Sequence, residues 1–163
     1  MKKEERILVA LGLGTYCQGV FDFAVRVAQG LDAHITVANI INDREIEAVR
    51  TVTDMGYNVD GDHYVSEAEA KRRALLEKIM EGSSFPREKI SVIMRVGNPI
   101  DQLLKIINED KIDIIIMGPK GRTDLERVLL GSVAEKVFRK SPVTVISYRD
   151  RDFAERLRKR GMA

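Results

Sequence analysis

The residue types best suited to chemistry stand in one stretch: Gly118-Pro119-Lys120-Gly121, nine residues, then Gly131-Ser132. Gly118 and Gly121 let a backbone come close to a ligand and turn its N–H groups inward, which is how a phosphate is cradled. Ser132 stands at the expected start of a helix, where unpaired N–H groups and the helix dipole favour an anion. Its hydroxyl can donate to a phosphate oxygen, and Val133 follows in the same first turn. Lys120 and Arg122 add positive charge beside the glycines. The spacing is not that of a Walker A loop, G-x-x-x-x-G-K-[ST]. On these residues alone two readings stay open: a phosphate cradle, or a glycine turn followed by a serine that only caps its helix.

Other chemistry-bearing residues are weaker candidates. Gly12, Gly14 and Gly19 do not make G-x-G-x-x-G, because residue 17 is Cys, so a tight strand-to-helix turn is expected. Cys17 opens a helix, a place that can lower a thiol pKa, but an inert packed thiol is the better reading. His34 and His63 have no sequence partners that suggest a triad or a metal site, and both are expected at the surface. Asp124 and Glu126 fall in the nine-residue insert and are read as a solvated face rather than a Mg²⁺ site.

The elements that must position these residues alternate along the chain. Apolar runs at Ile7–Leu11, His34–Ile41, Lys89–Val96, Asp113–Met117 and Val143–Tyr148 read as strands. Between the first two, Val20, Phe23, Ala24, Val27, Ala28 and Leu31 repeat as one helical face. Residues 42–61 read as a loop with a helical piece at Glu45–Val52. Ser66-x-x-Glu69 reads as a capping box opening a helix with Ala68, Leu75, Leu76 and Ile79 inward, ending at Gly82. Asn98-Pro99 is an N-cap with proline at the first helical position, ahead of Ile100, Leu103, Leu104 and Ile107. Ser132-x-x-Glu135 reads as another capping box, with Val133, Val137 and Phe138 inward. Strict alternation implies right-handed crossovers and an α/β fold, an open doubly wound five-stranded parallel sheet with helices on both faces. Such sheets bind ligands beyond the carboxyl ends of the strands where the strand order reverses, which directs attention to the loops after strands one and four.

Composition bounds the rest. A chain of 163 residues with 44% hydrophobic residues has room for one domain with a proper core. The formal net charge is +2. Residues 149–163 carry six basic and three acidic side chains, so that charged tail contributes +3 and residues 1–148 carry −1. The basic balance belongs to the tail, which argues against nucleic-acid binding as the main task. The tail itself is expected as a short helix or a frayed end. One cysteine allows no intrachain disulfide, and with two histidines it makes no structural zinc site. Both facts fit a reducing cytoplasm. Glu4 and Glu5 interrupt the basic start, so the opening is not read as a signal peptide, and no run reaches membrane-helix length.

Taken with its setting, G-x2-G-x9-G-S after DIIIMG and before AEKVF resembles the ATP-binding branch of the universal stress protein family. ILVAL, VGNPIDQLLKII and DIIIMGPKGRTDLERVLLGSVAEKVFRKSPVTVI carry the resemblance over nearly the whole chain. It implies a Rossmann-like, adenine nucleotide alpha hydrolase-like domain over 1–148, acting as a cytoplasmic, nucleotide-dependent regulator of a stress response. The ligand implied is ATP, ADP or AMP, with any Mg²⁺ held by the phosphates. Gly118, Gly121, Gly131 and Ser132 would contact ribose and phosphates, with Lys120, Arg122 and Val133 beside them. Ile40 would hold adenine through its backbone. One position departs: the acidic residue that the family usually has after the first strand is Gly12 here, so nucleoside recognition should be weaker or altered. Adenylyl-transfer relatives use H-x-G-H or S-G-G-x-D-S loops, and neither string is present, so at most slow hydrolysis is expected. The alternative is a nucleotide-free dimeric scaffold. The family also implies a homodimer through Val143–Ser147 and a downstream protein partner that the sequence does not identify.

Overall fold

In the computed structural model, residues 3–58, 60–119 and 131–161 are described. Five parallel strands form one sheet in the order β3-β2-β1-β4-β5. They are β1 (Arg6–Ala10), β2 (His34–Asn42), β3 (Ile90–Gly97), β4 (Ile114–Met117) and β5 (Thr144–Ser147). The helices are α1 (Cys17–Leu31), α2 (Asp43–Asp54), α3 (Gly61–Glu81), α4 (Pro99–Glu109), α5 (Ser132–Lys140) and α6 (Arg151–Gly161). The doubly wound parallel sheet expected from the alternation is the fold observed.

Its centre is apolar because both faces are covered. Ile7, Val9, Ile35 and Val37 point into a cluster shared with α1, α3 and α6, where Phe21, Ala24, Leu76 and Phe153 pack. Leu8, Ala38 and Ile115 point the other way, onto Leu103, Ile106 and Ile107 of α4 and Val137 of α5. Strands buried on both faces lose the alternating pattern and read as continuous apolar runs. That is why they were so visible in sequence.

Asn98 caps α4 as expected: its Oδ1 accepts from the N–H groups of Ile100 and Asp101 at 3.0 and 3.2 Å. The other two caps differ. Helix α3 begins at Gly61, with the Asp60 carboxylate accepting from the Asp62 N–H, so Ser66 lies inside the helix. Glu69 turns outward to Arg73 instead of back to a cap. Helix α5 has Gly131 as N-cap and Ser132 as its first helical residue, while Glu135 pairs with Arg139. Residues 43–54 are a full helix, longer than the expected piece, because Asn42 caps it through the Arg44 N–H.

Three apolar side chains expected inside are out: Leu31 at 37% exposure, Leu75 at 49% and Phe138 at 71%. In α3 the buried line is Arg72, Leu76 and Met80, spaced by four, so the inward stripe lies one position away from Leu75. In α5, Ala134 and Val137 set the inward face, which turns Phe138 toward solvent.

Gly19 lets the segment after β5 pack closely on α1. A Cβ there would stand 3.0 Å from Cε1 of Tyr148, whose ring stacks on Phe23 with centroids 5.1 Å apart. The chain leaving β5 therefore lies directly on α1.

The two neighbouring leucines of α3 make a test of the burial pattern. Leu76→Ala should lower stability by about 2–5 kcal/mol, the range for truncating a fully buried leucine. Leu75→Ala should change it by less than about 0.5 kcal/mol, as for surface sites. Urea unfolding of both proteins checks this, and equal losses would contradict the observed face.

Candidate functional site

Register brings the candidate residues together. Ala10 pairs with Met117 across β1 and β4 and with Ala38 across β1 and β2. Adjacent strands lie about 4.8 Å apart. Gly12 and Gly118 thus follow neighbouring strands at one end of the sheet, and Ile40 lies two residues beyond Ala38 inside the longer β2. Strand order reverses between β1 and β4, because α1 covers one face and α5 the other. This is where doubly wound sheets hold ligands.

The amino end of α5 is tied to the same place. The Gly131 N–H donates to the Pro119 carbonyl at 2.7 Å, which joins the two ends of the glycine stretch. Gly131, the N-cap of α5, has no side chain with which to accept from the N–H groups of the first turn. Ser132 is exposed and Val133 and Gly131 are partly buried. The structure therefore groups Gly12, Ile40, Gly118, Gly131, Ser132 and Val133. Lys120, Gly121 and Arg122, with Asp124 and Glu126, lie outside the described residues.

The turn after β1 is the other wall. Leu13 has φ of 58°, a left-handed conformation that a branched side chain adopts at a cost of about 1–3 kcal/mol. Tyr16 ends the turn as the N-cap of α1. Cys17 follows it, buried, and burial pushes its thiol pKa up against hydrogen bonds involving Gly14 and Leu13. It is a packed thiol, as expected, and not an activated one. His34, at the start of β2, bonds Ser91 at 2.9 Å, and His63 lies exposed in the first turn of α3 near Glu67. Among the described residues no group of His, Cys, Asp or Glu is arranged to hold a metal.

The sequence reading missed a polar network under the site. Asn39 Nδ2 donates to the Leu11 carbonyl at 2.7 Å, at the exit of β1. Its Oδ1 accepts from Arg72 Nη1 at 3.2 Å, and the same nitrogen reaches the Ile40 carbonyl at 3.3 Å. Arg72 Nη2 pairs with Glu45 of α2 at 2.8 Å. Arg72 is only 7% exposed, so its charge depends on these acceptors. The expected adenine contact, the Ile40 backbone, thus already accepts a guanidinium. The available signal was Asn39 itself: a lone amide in the apolar run HITVANII needs a partner.

Together these observations define an open doubly wound α/β domain whose strand order reverses between β1 and β4. Residues 4–149 match the Universal stress protein family, and the chain belongs to that family. It is 32% identical over 123 residues to universal stress protein MJ0577 of Methanocaldococcus jannaschii, covering 69% of this chain and 75% of that one. A second relative, a universal stress protein of Methanothermobacter thermautotrophicus, is 37% identical over 70 residues, 43% of this chain and 47% of its own. The solved structure of MJ0577 superposes with a TM-score of 0.67 at 26% identity, over 90% of this chain and 97% of that one. UspA of Lactobacillus plantarum gives 0.68 at 22%, over 91% and 100%, and shows the common fold.

Removing the guanidinium should be costly. Arg72→Ala removes the guanidinium from the buried Asn39 Oδ1 and from the partly exposed Glu45 carboxylate, and a loss of about 1–3 kcal/mol is expected from the buried acceptor left without its donor. Thermal unfolding of the variant measures it, and a shift within error of wild type would show that water replaces the guanidinium freely.

Proposed function

We propose that this protein is an adenine-nucleotide-binding regulatory member of its family, with the nucleotide in the crevice between the ends of β1 and β4. The observation that carries this reading is the amino end of α5: a helix whose N-cap, Gly131, brings no side-chain acceptor, tied to Pro119 by the Gly131 N–H beside the end of β4. Such an end attracts a phosphate by hydrogen bonding and by the helix dipole. The G-x2-G-x9-G-S spacing is the second support. A third is a universal stress protein solved in complex with cAMP, which shares the fold at a TM-score of 0.55 and 24% identity. ATP or AMP is the ligand of this reading, any Mg²⁺ being carried by the phosphates.

The affinity should be weighted toward the phosphate end. Gly12 supplies no carboxylate, and Ile40 offers a carbonyl that Arg72 already engages. Binding then acts on the surface presented to a partner and does not lead to turnover. A steady-state ATP hydrolysis rate near about 1 s⁻¹, inside the ordinary enzyme range, would remove the regulatory reading.

The β5 edge supports a homodimer. It pairs with β4 on one side only, and Val145 and Ile146 are partly exposed along it. An apolar edge with unpaired backbone groups takes cover or a partner. Sedimentation at micromolar concentration should give twice the 18.4 kDa chain mass. A single monomeric species would refute the dimer.

Calorimetric titration of ATP tests the site. Ser132→Ala should weaken binding by about 1.5–3 kcal/mol, the worth of one hydrogen bond to a charged group. Ser132→Glu should abolish it while leaving stability unchanged or raised, because a carboxylate at a helix amino end is favourable in itself and repels phosphate. Gly12→Asp should tighten binding. Wild type and Ser132→Glu titrating alike would falsify the assignment of this helix end.

A further inference from the structure

The family match stops at residue 149, yet the chain continues into a helix that is part of the core. Asp150 starts α6, its carboxylate accepting from the Phe153 N–H at 2.7 Å. Phe153 is 4% exposed and sits edge-on against Tyr16, ring centroids 5.8 Å apart. Arg156 lies over the Phe153 ring and donates to the Tyr16 hydroxyl at 3.2 Å. Leu157 packs on the same cluster.

The path of this segment matters. Strand β4 lies between β5 and β1, and the chain leaves β5 at its carboxyl end, where the Tyr148 N–H bonds the Met117 carbonyl. To reach Tyr16, which follows β1, it crosses from the β5 side of the sheet toward β1, with Tyr148 and Phe153 on the face that α1 covers. Helix α6 thus rests on the turn that leads from β1 into α1. A cavity of about 440 Å³ beside it is lined by Thr15 and Tyr16 from the turn and by acidic as well as basic residues of α6, Asp152, Glu155, Arg156 and Lys159 among them.

We propose that α6 is a strap that positions the β1–α1 turn, and that its docking is coupled to nucleotide occupancy of the crevice. The coupling rests on the nucleotide reading above; the docking does not. Leu13 holds its left-handed conformation in this turn only while the surroundings fix it. A strap that pins Tyr16 selects one arrangement of the turn. A ligand that packs on that arrangement gains affinity, and by linkage it holds the strap down equally. Phe153 and Arg156 are positioning residues, acting through Tyr16.

Cys17 provides a reporter, as it is the chain's one thiol, follows Tyr16 directly and is buried in the cluster that includes Phe153. Labelling with Ellman's reagent is compared in wild type, Phe153→Ala and Arg156→Gln, with and without ATP. Without ATP, Phe153→Ala should label about tenfold faster or more, because reaction of a buried thiol follows local opening. Arg156→Gln, which keeps the buried ring, should lie between. Should Phe153→Ala lose cooperative unfolding, Arg156→Gln and hydrogen exchange over 151–161 of wild type decide the point. Equal labelling of all three proteins overturns the strap.

ATP should slow wild-type labelling and α6 exchange, and Phe153→Ala should bind ATP about tenfold more weakly by calorimetry, a coupling within the usual allosteric range. Equal ATP affinity in wild type and Phe153→Ala overturns the coupling and leaves the nucleotide reading intact. No ATP binding to wild type removes that reading and the coupling with it, and the ligand-free labelling rates then judge the docking alone.

Discussion

A single buried amide organises the ligand end of this molecule. Asn39 spends its two N–H and O functions in opposite directions, one to the Leu11 carbonyl at the exit of β1 and one to Arg72 of α3. A backbone carbonyl at a strand end and a guanidinium inside a core are both expensive when unpaired. Asn39 satisfies them together. Arg72 then reaches on to Glu45, so α2, α3 and the ends of β1 and β2 are held by one chain of hydrogen bonds. The site walls can be built from loops because this chain fixes where the loops begin.

Such a network is a poor source of net stability, since an apolar replacement of matching shape often does as well. Its effect is on geometry. The guanidinium is planar and reaches Asn39, Ile40 and Glu45 at once, which only one placement of α3 against β2 allows. The placement has a consequence for ligands. In the proposed nucleotide complex the base would meet a carbonyl already accepting from a cation and, at Gly12, no carboxylate, while the phosphates would meet the amino end of α5.

The fold was legible because it depends on short-range pattern. Strands buried on both faces show as apolar runs, and Asn98-Pro99 marks a helix start with two independent signals. What was misread depends on competition between signals of similar strength. Ser66-x-x-Glu69 has the form of a cap, but Asp60, the N-cap at the residue before Gly61, captures the start first. Once α3 begins at Gly61, its inward line becomes 72, 76 and 80, and Leu75 is left outside. Ser132 resembles a cap for the same reason, yet Gly131 takes that position. Of the candidate site residues, register brings Gly12 and Gly118 together just beyond the neighbouring strands β1 and β4, with Ile40 inside β2. Arg72 was not legible, because an arginine on a helix is ordinarily solvated and its partner is 33 residues away in sequence.

The carboxy-terminal segment shows how an element of poor local pattern can still be decisive. Residues 149–163 look like a solvated end because six of them are basic and three acidic. One aromatic changes the outcome. Phe153 buried against Tyr16 outweighs the surrounding charge, since a large aromatic gains about 1.5–3 kcal/mol on full burial while exposed ion pairs contribute little. The charged residues then line one side of a helix whose other side is fixed, and that helix rests on the turn after β1. Two pieces far apart in sequence therefore shape this end of the crevice. Asn39 sets the strand exit from beneath, and Tyr16 receives the helix that comes across from β5. The turn between them, with Leu13 held left-handed, is fixed at both ends, and any ligand that touches it meets a wall already in place.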